Sequence, residues 1–253
     1  MEIHLIPLLE IQRNLQGMRR DKARFKSYLG SLLTPDGNNC ALAPLVLFNP
    51  MGREHVTAVL DQLIEMGAES ILAKVVEDTA GSIQREGAQF RAGCVVIDDL
   101  KGGWTNRWAT DLYLRQIPDP TMLNSKQLDR FWVTIPIWSS EPTHVESVRF
   151  AGIVATRRLL HVLKHGAAKN LGELMGQEGA IRLGMEGIFP KYTQADLLVY
   201  REFLQPLAQS EDMPTILSCL YGDTAGESLG FAPMGLPPMA GLSVAVWQAG
   251  LGS

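Results

Sequence analysis

Residues 92–99, Ala-Gly-Cys-Val-Val-Ile-Asp-Asp, constrain the fold of this chain more than any other segment. Cys94, Val95, Val96 and Ile97 are apolar without alternation. A strand with one wet face alternates between apolar and polar residues, whereas a strand covered on both faces does not. The run therefore predicts a buried strand over Ala92–Ile97 that stops at two carboxylates. Two further short apolar runs, Leu42–Phe48 and Phe131–Trp138, are of strand length. The second is rich in β-branched and aromatic residues, and its Pro136 points to an edge or a bulge.

Helical patterns lie between these runs. Asn49-Pro50 reads as an N-cap followed by a first helical residue, predicting a helix from about Pro50 to Met66 with Gly67 as its stop. Val56, Val59, Leu60, Leu63 and Ile64 form its apolar stripe. Residues 68–83 fit either a helix or a strand. Thr105–Gln116 reads as a helix broken by Pro118 and Pro120. Thr143-His144-Val145-Glu146 fits a capping box for a long helix to His165, closed by Gly166. Asn170 and Thr193 each stand three residues before an acid, a second and third start signal.

Alternation of strand and helix between 42 and 165 predicts an α/β fold, a small parallel sheet covered by helices, with helical segments at both ends. The length of 253 residues is near the upper size of one core. The expected organisation is a single domain: a helical arm over 1–39, the α/β layer over 40–166, and a helical annex with a Gly/Pro/Met-rich tail over 167–253.

Composition narrows the function classes. A net charge of -4 argues against general nucleic-acid binding. The basic cluster Met18–Lys26 reads as a solvated helix face. Cys40, Cys94 and Cys219 are few and far apart, which disfavours a zinc knuckle or a disulfide framework. The first residues lack the basic start and long apolar core of a secretory signal. No run of about 18 apolar residues predicts a membrane span. A cytoplasmic protein is the expectation.

Ligands of parallel sheets bind beyond the carboxyl ends of the strands. Three polar segments should meet there. The first holds Asn49, Arg53 and His55, where a helix start and a cation suit an anion. The second holds Asp98, Asp99, Lys101, Thr105, Asn106 and Arg107; its acids suit acid–base work or a divalent cation such as Mg²⁺, and its cations a phosphate or carboxylate. The third holds Ser139 and His144. Sequences of the form GxxxxGK[ST], GxGxxG and GxSxG are absent, which excludes a P-loop, a standard dinucleotide site and a nucleophile elbow. His161 and His165 have metal-ligand spacing but lack the glutamate of HExxH, so a structural use is expected.

These residues predict an enzyme acting on a small anionic metabolite. Asp98, Asp99, His55 and His144 would carry the acid–base chemistry. Asn49, Arg53, Lys101, Thr105, Asn106, Arg107 and Ser139 would bind the substrate. The alternative is a non-catalytic assembly protein, a homo-oligomer or partner binder that uses residues 229–253 as its interface.

Overall fold

The computed structural model describes residues 2–81, 89–100, 105–128, 131–185 and 190–251. The chain packs as two compact units. One comprises Met1–Arg107 and Pro120–Leu160, the other Trp108–Asp119 and His161–Ser253.

The first unit is built on a three-stranded parallel sheet in the order β1 (Glu2–Ile6), β2 (Gln89–Ile97), β3 (Trp132–Trp138). Ile6 is opposite Gly93, and Ile97 is opposite Trp138. Every residue of β2 from Ala92 to Ile97 is buried, so both faces of the central strand are covered, as its unbroken apolar run requires. β3 pairs on one side with β2, so Pro136 sits on an edge strand, where its missing N–H is tolerated.

The first strand differs from the sequence expectation. Residues Ala43–Leu47 form a 3-10 helix, and the third strand is supplied instead by the N-terminal Glu2–Ile6. Pro44 fixes its own φ and donates no hydrogen bond, which suits a 3-10 start and spoils a central strand. Leu45 and Phe48, three residues apart, are fully buried while Val46 is exposed, matching the three-residue turn. The alternation of Ile3 and Leu5 with exposed Glu2 and His4 was the available signal for β1.

Helices follow: α1 (Leu9–Gly17), α2 (Lys22–Leu32), α3 (Glu54–Glu65) and α4 (Ala68–Ala80). The ambiguous segment 68–83 is thus helical as far as Ala80. β1 is too short to pair with the end of β2. Gln12 of α1 takes its place: its Nε2 donates to Cys94 O at 2.9 Å and its Oε1 accepts from Val96 N at 2.9 Å. One side-chain amide thereby completes the ladder of the exposed strand flank. Glu69 of α4 accepts from Leu8 N and Leu9 N, at 2.6 and 2.9 Å, and so satisfies the start of α1.

Beyond β2 lie α5 (Arg107–Arg115), α6 (Ser125–Leu128) and, after β3, α7 (Val145–His165). The cap of α7 stands one residue later than expected. The ring Nδ1 of His144 accepts from Ser147 N at 3.0 Å, and Ser147 Oγ donates back to His144 O at 2.8 Å. Imidazole replaces the predicted Thr143 hydroxyl because His144 is the residue whose ring reaches the third helical N–H.

The second unit holds α8 (Leu171–Arg182), α9 (Gln194–Leu204), α10 (Met213–Tyr221), α11 (Asp223–Glu227) and α12 (Ala240–Leu251). Asn170 caps α8, and Thr193 with Asp196 forms a reciprocal capping box on α9. Leu171, Leu217, Leu220, Leu242 and Val244 are fully buried or nearly so in its core. Close helix contact depends on two glycines. A Cβ at Gly179 would lie 2.4 Å from Ala245 O, and one at Gly241 2.4 Å from Cys219 O.

The Gly/Pro/Met-rich tail is part of this core: Leu236, Ala240, Leu242, Val244 and Ala245 are buried within their own unit. A charge network is buried alongside. Arg115 and Arg182 both bond Glu178, and Arg115 also reaches Asp111 at 2.7 Å and the Tyr221 hydroxyl at 2.8 Å. None of the helices among the described residues is long and apolar enough to cross a membrane.

Candidate active site

Asp98 is the first residue past β2 and is 3% exposed. A carboxylate in such a place needs donors, and among the described residues four converge on it. His55 Nε2 lies 2.8 Å from Oδ1, and Asn49 Nδ2 donates to Oδ2 at 2.8 Å. Ser139 Oγ and Leu100 N add longer contacts to Oδ1, at 3.4 and 3.3 Å. The donors come from the segment before α3, from α3 itself, from the end of β3 and from the Asp98 loop. Chain segments distant in sequence therefore do meet at one strand end, although one of them follows a 3-10 helix rather than a strand.

The pairing fixes which ring nitrogen of His55 faces the carboxylate. A carboxylate only accepts, so Nε2 carries the hydrogen, and Nδ1 is the acceptor of the neutral ring. His55 is held at the start of α3, on the wall of an open cleft of about 630 Å³. Gln16, Arg20, Arg24 and Arg53 share that wall.

The turn that delivers His55 differs from the expected cap. Asn49 does not begin the helix: its Oδ1 accepts from Met51 N at 2.9 Å, its O accepts from Gly52 N at 3.1 Å, and α3 starts at Glu54 after Arg53. Using its amide for Asp98 and its oxygen for a local Asx turn leaves Asn49 nothing with which to cap α3. Gly52 allows this close fold, since a Cβ there would lie 2.9 Å from Gln16 Nε2 and from Val56 Cγ2.

Asp99 faces another way, as adjacent residues at a strand end should. Arg107 Nη1 donates to Oδ2 at 2.9 Å, and Ser140 donates through N and Oγ at 3.0 and 2.6 Å. Burial alone would raise this carboxyl. Bonds from Ser140 and Arg107, with the Arg107 charge, outweigh it and hold Asp99 below the usual carboxylate range. Arg107 also pairs with Glu141 and lies 3.9 Å over the Trp138 ring. Arg107 thereby braces the two strand ends.

The expected residues thus sort into groups. Asn49, His55, Asp98, Asp99, Arg107 and Ser139 come together, and Arg53 stands at the adjacent cleft. Thr105 is half-buried with its hydroxyl lacking a partner, and Asn106 is likewise half-buried. His144 is exposed, and its ring Nδ1 caps its own helix. Lys101 lies outside the described residues. Each oxygen of Asp98 and Asp99 already accepts from a protein donor, an arrangement suited to positioning. Among the described residues no three His, Cys, Asp or Glu side chains gather as a metal-binding group. His161 and His165 stack at 4.6 Å.

Sequence reasoning missed Gln16, and it placed Arg24 on a solvated helix face although that side chain is buried. Gln16 Nε2 donates to Asn49 O at 2.9 Å. Its signal was a polar residue in register with the buried Leu8, Gln12 and Leu15 face of α1. Comparison with protein-family models, curated proteins and solved structures gives no match to this chain.

Proposed function

We propose that this protein is an enzyme acting on a small anionic metabolite, with His55 as its general base. The carrying observation is the His55–Asp98 pair at 2.8 Å, buried on the aspartate side and bordering a basic cleft on the histidine side. A carboxylate behind an imidazole fixes its tautomer and stabilises the imidazolium formed as the ring takes a proton. Asn49 and Ser139 hold the aspartate, and Arg53 draws the anion toward Nδ1. Three unpaired cysteines suit a reducing cytoplasm.

The test is turnover of a panel of phosphate- and carboxylate-bearing metabolites, followed by mass spectrometry. A substrate should emerge for the wild type, and His55→Asn should lower its kcat by about 10²–10⁴-fold. Asp98→Asn should lower kcat in the same direction. An active wild type matched by a fully active H55N variant would sink the assignment, as would a wild type inert toward the whole panel.

A further inference from the structure

Arg24 is on the buried side of α2 and is 3% exposed, yet among the described residues no carboxylate pairs with it. Its Nη2 donates to the neutral Gln16 amide oxygen. Its Nη1 reaches Met18 O at 3.5 Å, and its buried Nε has no acceptor. Burial and the neighbouring Arg20 charge together pull the guanidinium below its ordinary value. A buried cation without a counter-charge is a costly arrangement, and proteins keep such groups where a negative charge arrives.

Arg24 lines the cleft beside His55. Arg20 and Arg53 line it too, against Glu54 as the one carboxylate on its wall among the described residues. Three guanidiniums facing one carboxylate leave an excess of two positive charges. The start of the 12-residue α3 opens on the same space with no side-chain cap, so its first N–H groups add a partial positive charge.

We propose that this cleft is a binding subsite for a phosphate-class dianion, with Arg24 as its buried counter-charge. Arg20, Arg53 and the α3 N-terminus complete the cradle. The fork of a guanidinium matches two phosphate oxygens at once. About 630 Å³ accommodates a phosphate group with a small organic body. This assignment rests on the catalytic reading above only in sharing its cleft, and it narrows the anionic substrate to a phosphate-bearing one. Gln16 joins the two halves: it accepts from Arg24 and donates to Asn49 O, whose side chain holds Asp98.

Calorimetric titration of the full chain with inorganic phosphate, against acetate at matched ionic strength, tests the proposal. Phosphate should saturate with a Kd of about 1 mM or tighter, and acetate should not. Phosphate should also raise the melting temperature of the wild type. Arg24→Met should weaken phosphate binding at least about tenfold and abolish that rise. In phosphate-free buffer R24M should melt no lower than the wild type, because an unpaired buried charge has gone; a purely structural arginine would behave oppositely. If R24M fails to fold, the proposal is overturned on that ground. Arg53→Gln, at an exposed position, gives a second reading and should weaken phosphate binding several-fold. A wild type with no saturable phosphate binding, equal binding of acetate, or an R24M variant that binds as the wild type would each overturn it. None of these outcomes touches His55, whose reading is decided by turnover.

Discussion

Glu178 shows what a single residue can be asked to hold. Its side chain is fully buried between Arg115 and Arg182, and Gln177 Nε2 adds a contact to its other oxygen at 3.3 Å. Burial alone would lower Arg115, but Asp111 and Glu178 overturn that and hold the guanidinium well above its ordinary value. Tyr221, packed against the same guanidinium, is pushed far up by burial. Removing one charge from such a set leaves the others desolvated and uncompensated. Glu178→Gln should therefore destabilise the protein by about 3–5 kcal/mol, read as a lower urea midpoint. An unchanged midpoint would mean that the two arginines find other acceptors. Asp98 is the contrasting case: among the described residues its four donors include one ionisable side chain, His55.

At the scale of elements, the sheet is completed by a helix. β1 ends at Ile6, and Gln12 of α1 bonds the carbonyl of Cys94 and the amide of Val96, where a longer strand would have paired. Gln12→Leu keeps the size and apolar contacts but leaves a buried N–H and a buried C=O unmet. A loss of about 2–6 kcal/mol is expected, at about 1–3 kcal/mol for each of the two orphaned groups. Hydrogen exchange gives the sharper readout: the Val96 amide should exchange markedly faster in Q12L, beyond the change in global stability. If its protection simply followed the global change, the strand-mimic role would be disproved. Gly179 and Gly241 work at this scale too, since their missing side chains set how near α12 comes to α8 and α10.

Across the whole molecule, both units depend on carboxylates whose folded form favours the ionised state. Asp99 in the first unit is held low by Ser140 and Arg107 against its burial. In the second, Asp223 is held low against its burial by backbone N–H groups, among them those of Met234 and Gly235 at 2.8 Å. Asp196 and Asp212 are lowered by their capping bonds. A carboxyl with a depressed folded pKa adds stability that is present above its unfolded value of about 3.9 and is lost as the pH falls through the folded value. Thermal unfolding followed from pH 7 to pH 2 should thus show little change down to about pH 5 and a steep fall in melting temperature below about pH 4. A melting temperature that stayed level to pH 2 would contradict the electrostatic account of these caps and braces. Cys94 and Cys219 do not enter this range, since burial raises both thiols, Cys219 to about 12.

The sequence by itself determined the class of fold and where its polar rim would be. An unbroken apolar run needs covering on both faces, and a hydrophobic stripe at helical spacing needs a core, whatever the chain does elsewhere. Strands β2 and β3, the helices α3, α7, α8 and α9 and the meeting of Asp98 with Asn49 and His55 were legible on those terms. Tertiary structure decided what local pattern leaves degenerate. Leu42–Phe48 is apolar enough for a strand, but Pro44 and the packing of Leu45 with Phe48 turned it into a 3-10 helix, and Glu2–Ile6 took the vacant edge. Which acids Arg107 would brace also depended on long-range neighbours, Glu141 among them. So did the burial of Arg24 without a counter-charge. In sequence it is one of several cations on an amphipathic helix; only the fold removes it from water, and solvation energy is a property of place rather than of residue type.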